Sequence, residues 1–213
     1  MKTKIVVLFG LIGLFMTGCF IKSLNPFYTK KDIVYDPKII GTWVDDDSDT
    51  WTIKQQMKWP IKPDSSYQVE IVEKDGSMSS FNAHLFKLNK NLYLDFYPNG
   101  KVGSSDLMEE NMVLTHSLAK VQYTGSTIKI QWFNEFWLAQ LFEQNKIRIR
   151  HETMHGSDET SYLLTASTGD LQKFIIKYGD DPQAFKSNWE HDPKDKEKEA
   201  CTFILKKISN EVK

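Results

Sequence analysis

The chain has 213 residues with 27 basic and 28 acidic side chains, a formal charge of −1 with histidine neutral. That balance, with no basic stripe along the chain, excludes a nucleic-acid binder of the usual electrostatic kind, and two cysteines are too few for a disulfide-built scaffold. Thirteen phenylalanines, eight tyrosines and six tryptophans are ample for the core of one domain of ordinary size.

Lys2 and Lys4 precede an apolar run from Ile5 to Met16, which ends in Thr17, Gly18 and Cys19. A positive flank, an apolar segment of about a dozen residues and a small-residue cleavage site describe a secretory signal. The run falls short of the roughly 20 apolar residues that a membrane-spanning helix needs. The cysteine placed directly after Thr17 and Gly18 resembles the lipobox of bacterial lipoproteins, with Met16 where leucine is usual. The resemblance implies removal of residues 1–18, lipidation of Cys19 and anchoring to a membrane of the cell envelope. Phe20, where an aspartate would signal inner-membrane retention, implies the outer membrane in a Gram-negative cell. An ordinary signal peptide cleaved near Gly18 is the alternative, and it leaves Cys19 unexplained. A cysteine carrying two or three acyl chains is held far more firmly than a single-chain anchor. The mature chain would keep 213 − 18 = 195 residues and, without Lys2 and Lys4, a formal charge of 25 − 28 = −3. Cys201 then has no disulfide partner and reads as a small core hydrophobe.

Residues 19–38 form the lipidated cysteine and its tether. Phe20, Phe27, Tyr28 and Tyr35 are too aromatic for a pure spacer, and Pro26 and Pro37 argue against a helix, so part of the segment is expected to lie against the domain at 39–213. Ile39 to Val44 reads as the first strand. Asp45, Asp46, Asp47, Ser48 and Asp49 follow; their alternation suggests calcium, but Thr50 and Gln56 stand where an EF-hand needs glycine and glutamate, so a hairpin turn is favoured. Trp51 starts the return strand. Trp59 to Pro63 reads as a loop with a candidate contact tryptophan.

The strongest β signal comes next. Tyr67, Val69 and Ile71 alternate with polar neighbours, Asp75-Gly76 supplies a turn, and Phe81, Ala83 and Leu85 alternate again. A turn at Asn89 to Asn91 leads to a strand from Leu92 to Tyr97, and Pro98 to Asn111 reads as a polar loop. Strands at Leu114–Tyr123 and Thr127–Phe133 flank a Gly125-Ser126 turn. Asn134 caps a helix through Gln144, in which Phe136, Trp137, Leu141 and Phe142 keep helical spacing. Ile147 and Ile149 alternate with Arg148 and Arg150 as in a strand, and Ser161–Ala166 is another. Thr168 caps a second helix with Leu171, Phe174, Ile175 and Tyr178 as its buried stripe and Gly179 at its end. Phe185 belongs to a short helical or turn segment, Lys186 to Glu199 is charged and loop-like, and Cys201–Ile208 is a last strand positioned to pair with an early one. The sequence therefore predicts a mainly β chain, an antiparallel barrel or meander with two short α-helices.

Gly41-Thr42-Trp43 at the start of the first strand resembles the Gly-x-Trp signature of lipocalins, in which the tryptophan closes one end of the barrel. The run from Ser23 to Trp43, with Thr165-Ala166-Ser167-Thr168 before Leu171-Gln172-Lys173-Phe174, is similar to a group of uncharacterised bacterial lipoproteins. The lipocalin resemblance implies a structural role for Gly41 and Trp43 and a late-strand arginine stacked on Trp43, for which Arg148 and Arg150 are the only arginines present.

His151-Glu152-Thr153-Met154-His155 matches His-Glu-x-x-His, in which two histidines bind zinc and the glutamate activates water. That chemistry requires a helix to place both imidazoles on one face. Here the approach alternates as a strand, and Gly156-Ser157-Asp158 ends it, so a hairpin with solvent-facing polar residues is favoured over a zinc peptidase that would draw a third ligand from Glu190, His191 or Asp192. His84 and His116 lie within strands, where cross-strand packing is the simpler role. No cofactor motif is present. The expected function is a noncatalytic one, binding a small apolar ligand or an envelope partner.

Overall fold

The computed structural model describes residues 21–58, 62–99, 112–155, 160–185 and 202–208. Cys19 and the signal, Trp59, the 100–111 part of the polar loop, Glu190-His191-Asp192 and Cys201 lie outside the described residues. Among the described residues there are eleven strands: β1 Lys22–Ser23, β2 Gly41–Val44, β3 Thr50–Lys58, β4 Lys62–Val72, β5 Met78–Leu88, β6 Asn91–Pro98, β7 His116–Tyr123, β8 Thr127–Trp132, β9 His151–His155, β10 Thr160–Leu164 and β11 Thr202–Lys207. The described residues also form two α-helices, α1 Glu135–Glu143 and α2 Thr168–Tyr178, and short 3-10 turns at Pro37–Ile39 and Pro182–Phe185. No helix among the described residues is long and apolar enough to cross a membrane.

Each strand from β2 to β8 pairs with the next, all antiparallel. β11 then pairs with both β8 and β2, so eight strands close into a barrel of consecutive neighbours. Closure follows from period-two patterning. On β8 the odd positions are half-buried and Ile128, Ile130 and Trp132 point inward, and Ala83 and Leu85, Leu94 and Phe96, Ala119 and Val121 do the same on β5, β6 and β7. In an eight-stranded barrel the interior is just wide enough for side chains to fill it or to leave room for one small ligand.

One end of this barrel is plugged. The 3-10 turn at Pro37–Ile39 is capped by Asp36, whose carboxylate accepts from Lys38 N–H, and it carries the buried Ile39 beneath Trp43. Trp43 Nε1 donates to the Ile39 carbonyl at 3.0 Å. Lys207 Nζ lies 5.1 Å from the centre of the Trp43 ring. The late-strand cation over the tryptophan is thus a lysine on β11; Arg148 and Arg150 lie within the long segment between β8 and β11, in the irregular stretch before β9. Gly41 has φ +145° and a Cβ there would meet Lys207 Cε at 3.1 Å, so this position favours glycine on both backbone and space.

A second core covers the outside of the wall. Phe86, Leu88, Tyr93 and Leu118 point outward from the barrel and pack against Phe133, Trp137 and Leu138 around α1 and against Leu171, Phe174 and Ile175 of α2. β1 inserts between β7 (antiparallel) and β10 (parallel), and Ile21 and Phe27 are buried in the same cluster. The segment from residue 21 therefore packs on the barrel and its outer layer, as its aromatics suggest. Both cores are drawn from residues between Ile21 and Leu205.

Three local expectations are corrected. Ile147–Arg150 is not a strand: Ile147 and Ile149 alternate because they face the second core, and pairing begins only at His151. Ser167, not Thr168, caps α2, accepting from Asp170 N–H, while Thr168 Oγ1 donates to the Pro26 carbonyl at 2.8 Å. Lys62 and Pro63 belong to β4 rather than to a loop.

Candidate functional site

The other end of the barrel is left open by the described residues. There β2 ends at Val44, β3 begins at Thr50, β4 ends at Val72, β6 ends at Pro98 and β8 at Trp132. A cavity of about 330 Å³ lies between them, walled by Trp51, Ile71, Phe81, Phe96, Trp132 and Phe203. Engineered apolar cavities of about 150 Å³ hold a benzene, and small-molecule sites start near 300 Å³. Its size thus suits one small apolar body. The aromatic walls brace one another: Phe96 and Trp132 ring centres are 4.8 Å apart, Phe81 meets Phe96 edge-on at 5.9 Å, and Trp51 lies 5.7 Å from Phe203.

Charge sits on the rim. Asp45 and Asp49 come from the β2–β3 turn, Glu73 from the β4–β5 turn and Lys22 from β1. Asp45 is buried, with 6% of its surface exposed, and it organises the turn: Oδ1 accepts from Asp47 and Asp49 N–H at 3.0 and 2.9 Å, and Oδ2 accepts from Trp51 Nε1 at 3.0 Å. Ser48 takes a left-handed φ of 69° to close it. The acidic run that suggested calcium is therefore a turn whose first carboxylate fixes a cavity wall. Asp49 Oδ1 accepts from Lys74 N–H at 3.2 Å, which ties the two turns together. Burial, and then the neighbouring Asp45 charge, raise the Asp49 pKa above the ordinary aspartate value.

The residues singled out from sequence fall elsewhere. Gly41 and Trp43 build the closed end. His151, Glu152 and His155 lie on β9, an antiparallel partner of β10. Along a strand, positions four apart are separated by roughly 13 Å, so the two imidazoles face the same side but cannot share one zinc ion. His151 instead stacks on Phe142, ring centres 3.7 Å apart, with Nδ1 against the Ile149 carbonyl at 2.9 Å. Among the described residues no group of three or more His, Cys, Asp or Glu side chains is placed to hold a metal.

His116 packs across strands and His84 packs against the N-terminal segment, both on the outer wall. His116 Nδ1 is 2.7 Å from Asp95 Oδ1, and Phe27 N–H donates to Asp95 Oδ2 at 2.8 Å. The fully buried Asp95 thus fastens the N-terminal segment to β6. His84 stacks on Tyr28 at 4.4 Å, beside it. A more open groove of about 290 Å³ between the 146–149 segment and α2 is lined by Lys146, Arg148, Lys173 and Lys177.

Sequence reasoning missed the cavity. Ser79, Phe81, Trp132 and Phe203 are far apart in the chain, and the only local signal was inward-facing aromatics near strand ends. Comparison with protein-family models, with curated proteins and with solved structures finds no match.

Proposed function

We propose that the chain is an exported lipoprotein, anchored to a membrane of the cell envelope through Cys19, which holds a small apolar ligand in the mouth of its barrel without catalysing a reaction. The observation that carries this reading is the aromatic-walled cavity of about 330 Å³ at the end of the barrel opposite the Trp43 plug. A hollow of that kind loses favourable packing when empty and regains it when an apolar guest excludes water. The Lys2 to Cys19 pattern supports export and anchoring.

Ser79 lines the cavity, so Ser79→Trp fills it from the wall. A neutral fluorescent naphthylamine probe should bind the protein at one per chain and brighten, and Ser79→Trp should abolish the signal while thermal unfolding stays cooperative. Equal brightening in both proteins sinks the cavity as the site. Labelling with radioactive palmitate, lost in Cys19→Ala, tests the anchor separately.

A further inference from the structure

The character of the mouth narrows the ligand class, taking the ligand-binding reading above as its premise. Two independent features of the cavity agree. Its walls are mostly aromatic, with Trp51, Phe81, Phe96, Trp132 and Phe203 around one hollow; aromatic faces carry negative potential and attract organic cations, tryptophan most strongly. Its rim is anionic on one side, where the adjoining β2–β3 and β4–β5 turns bring Asp45, Asp49 and Glu73 together. Among the described lining residues three carboxylates face one cation, Lys22, which sits on β1 beside β7, across the barrel from those turns, while Lys74 of the β4–β5 turn partly offsets the charge of Asp49. The nearby Lys206 is engaged with Asp46 at 3.1 Å. The cavity makes the site; the carboxylates and the ring faces decide what enters it.

We infer that the mouth selects an organic cation, an alkyl- or arylammonium with an apolar body, over neutral and anionic molecules of the same size. The apolar body takes the place of water between Phe81, Phe96 and Trp132, and the ammonium stays at the rim near Asp49 and Glu73. A carboxylate or phosphate head in the same pose meets three like charges. Asp49 in particular is held above its ordinary pKa by burial and by Asp45, so a cation beside it offsets the repulsion between the two carboxylates.

The test uses a chain beginning at Phe20, which retains all the described residues of both cores, checked for a cooperative thermal transition. Three probes share one alkyl chain and differ in the head: decyltrimethylammonium, decanol and decanoate, the ions titrated below their micelle concentrations and decanol below its solubility limit, all followed by calorimetry. Decyltrimethylammonium is expected to bind about tenfold more tightly than decanol, which a gain of one cation–π contact and one screened charge pair supplies, and decanoate more weakly than decanol. In Asp49→Asn/Glu73→Gln the affinity for the cation should fall toward that for decanol. Decanol or decanoate binding as tightly as the ammonium overturns the charge inference and leaves the cavity reading standing; no binding of any probe overturns both.

Discussion

Asp36 shows how single residues hold the closed end. Its Oδ2 accepts from Tyr123 Oη at 2.6 Å and its Oδ1 from Lys38 N–H at 2.9 Å. Its own N–H donates to Tyr67 Oη at 2.8 Å, and Tyr67 Oη donates to the Asp36 carbonyl at 3.1 Å. Burial pushes Tyr67 up to about 12 and also raises Tyr123, so both phenols keep their protons through the neutral range. The Tyr123 hydrogen bond, and then the Lys38 N–H, lower the Asp36 pKa. A carboxyl whose folded value lies below its unfolded one stabilises the fold above about pH 4, and that contribution is lost as pH falls through the folded value. Tyr123→Phe should therefore cost about 1–2 kcal/mol in urea unfolding at neutral pH, with the difference from wild type shrinking in acid. A constant difference down to the acid limb would refute the role given to Asp36. Asp49 at the mouth has the opposite sign. Its raised pKa means that the ionised form opposes folding, a cost present at neutral pH and relieved as pH falls through its folded value. Asp49→Asn keeps an acceptor for Lys74 N–H, and calorimetry should show a higher melting temperature at neutral pH, with the gain fading in acid.

At the scale of elements, α2 depends on what its ends touch. Its last turn closes on Gly179, whose N–H donates to Ile175 at 2.6 Å and whose missing Cβ leaves room for Tyr93 Oη. The residue is in the right-handed helical region, so glycine is required here by close approach and not by backbone freedom. Gly179→Ala should cost about 1–3 kcal/mol through overpacking against Tyr93 and Ile175, and the double variant with Tyr93→Phe should recover part of it; no recovery would mean that the clash is with the helix carbonyl alone. The strands from Thr50 to Trp132 were legible because their inward positions alternate, and α1 because Asn134 accepts from Trp137 N–H as an N-cap should. β9 was misplaced by four residues because Ile147 and Ile149 are apolar for packing under α2, a cause that leaves the same alternation as strand pairing. The cation over Trp43 was legible as an idea but not as Lys207, since that contact exists only after β11 has paired with β2. The cavity was not legible for the same reason: Ser79, Trp132 and Phe203 share a wall only in the closed ring.

Closure is therefore the property of the whole molecule on which the site rests. β8 ends at Trp132, and the chain builds α1, β9, β10 and α2 before β11 returns to the gap between β8 and β2. Without β11, Leu205 leaves the barrel core, Phe203 leaves Trp51, Lys207 leaves Trp43, and two strand edges of the barrel are exposed at once. Unpaired edges over an apolar interior recruit other chains, and a contact between residues so distant in sequence forms only after a long loop has closed. The elements packed outside the ring add no strand to it, and β1 pairs with it only at the start of β7. A chain ending at Phe185 should accordingly keep α1 and α2 signals by circular dichroism but lose cooperative thermal unfolding, bind a hydrophobic dye without saturation and aggregate. Trp137→Ala, which removes a buried anchor from the second core alone, should lower stability by about 3–5 kcal/mol and keep one cooperative transition if the barrel and its outer layer fold as a unit. Two separated transitions in Trp137→Ala would show instead that the barrel stands alone and that the helices are an outer layer added to it.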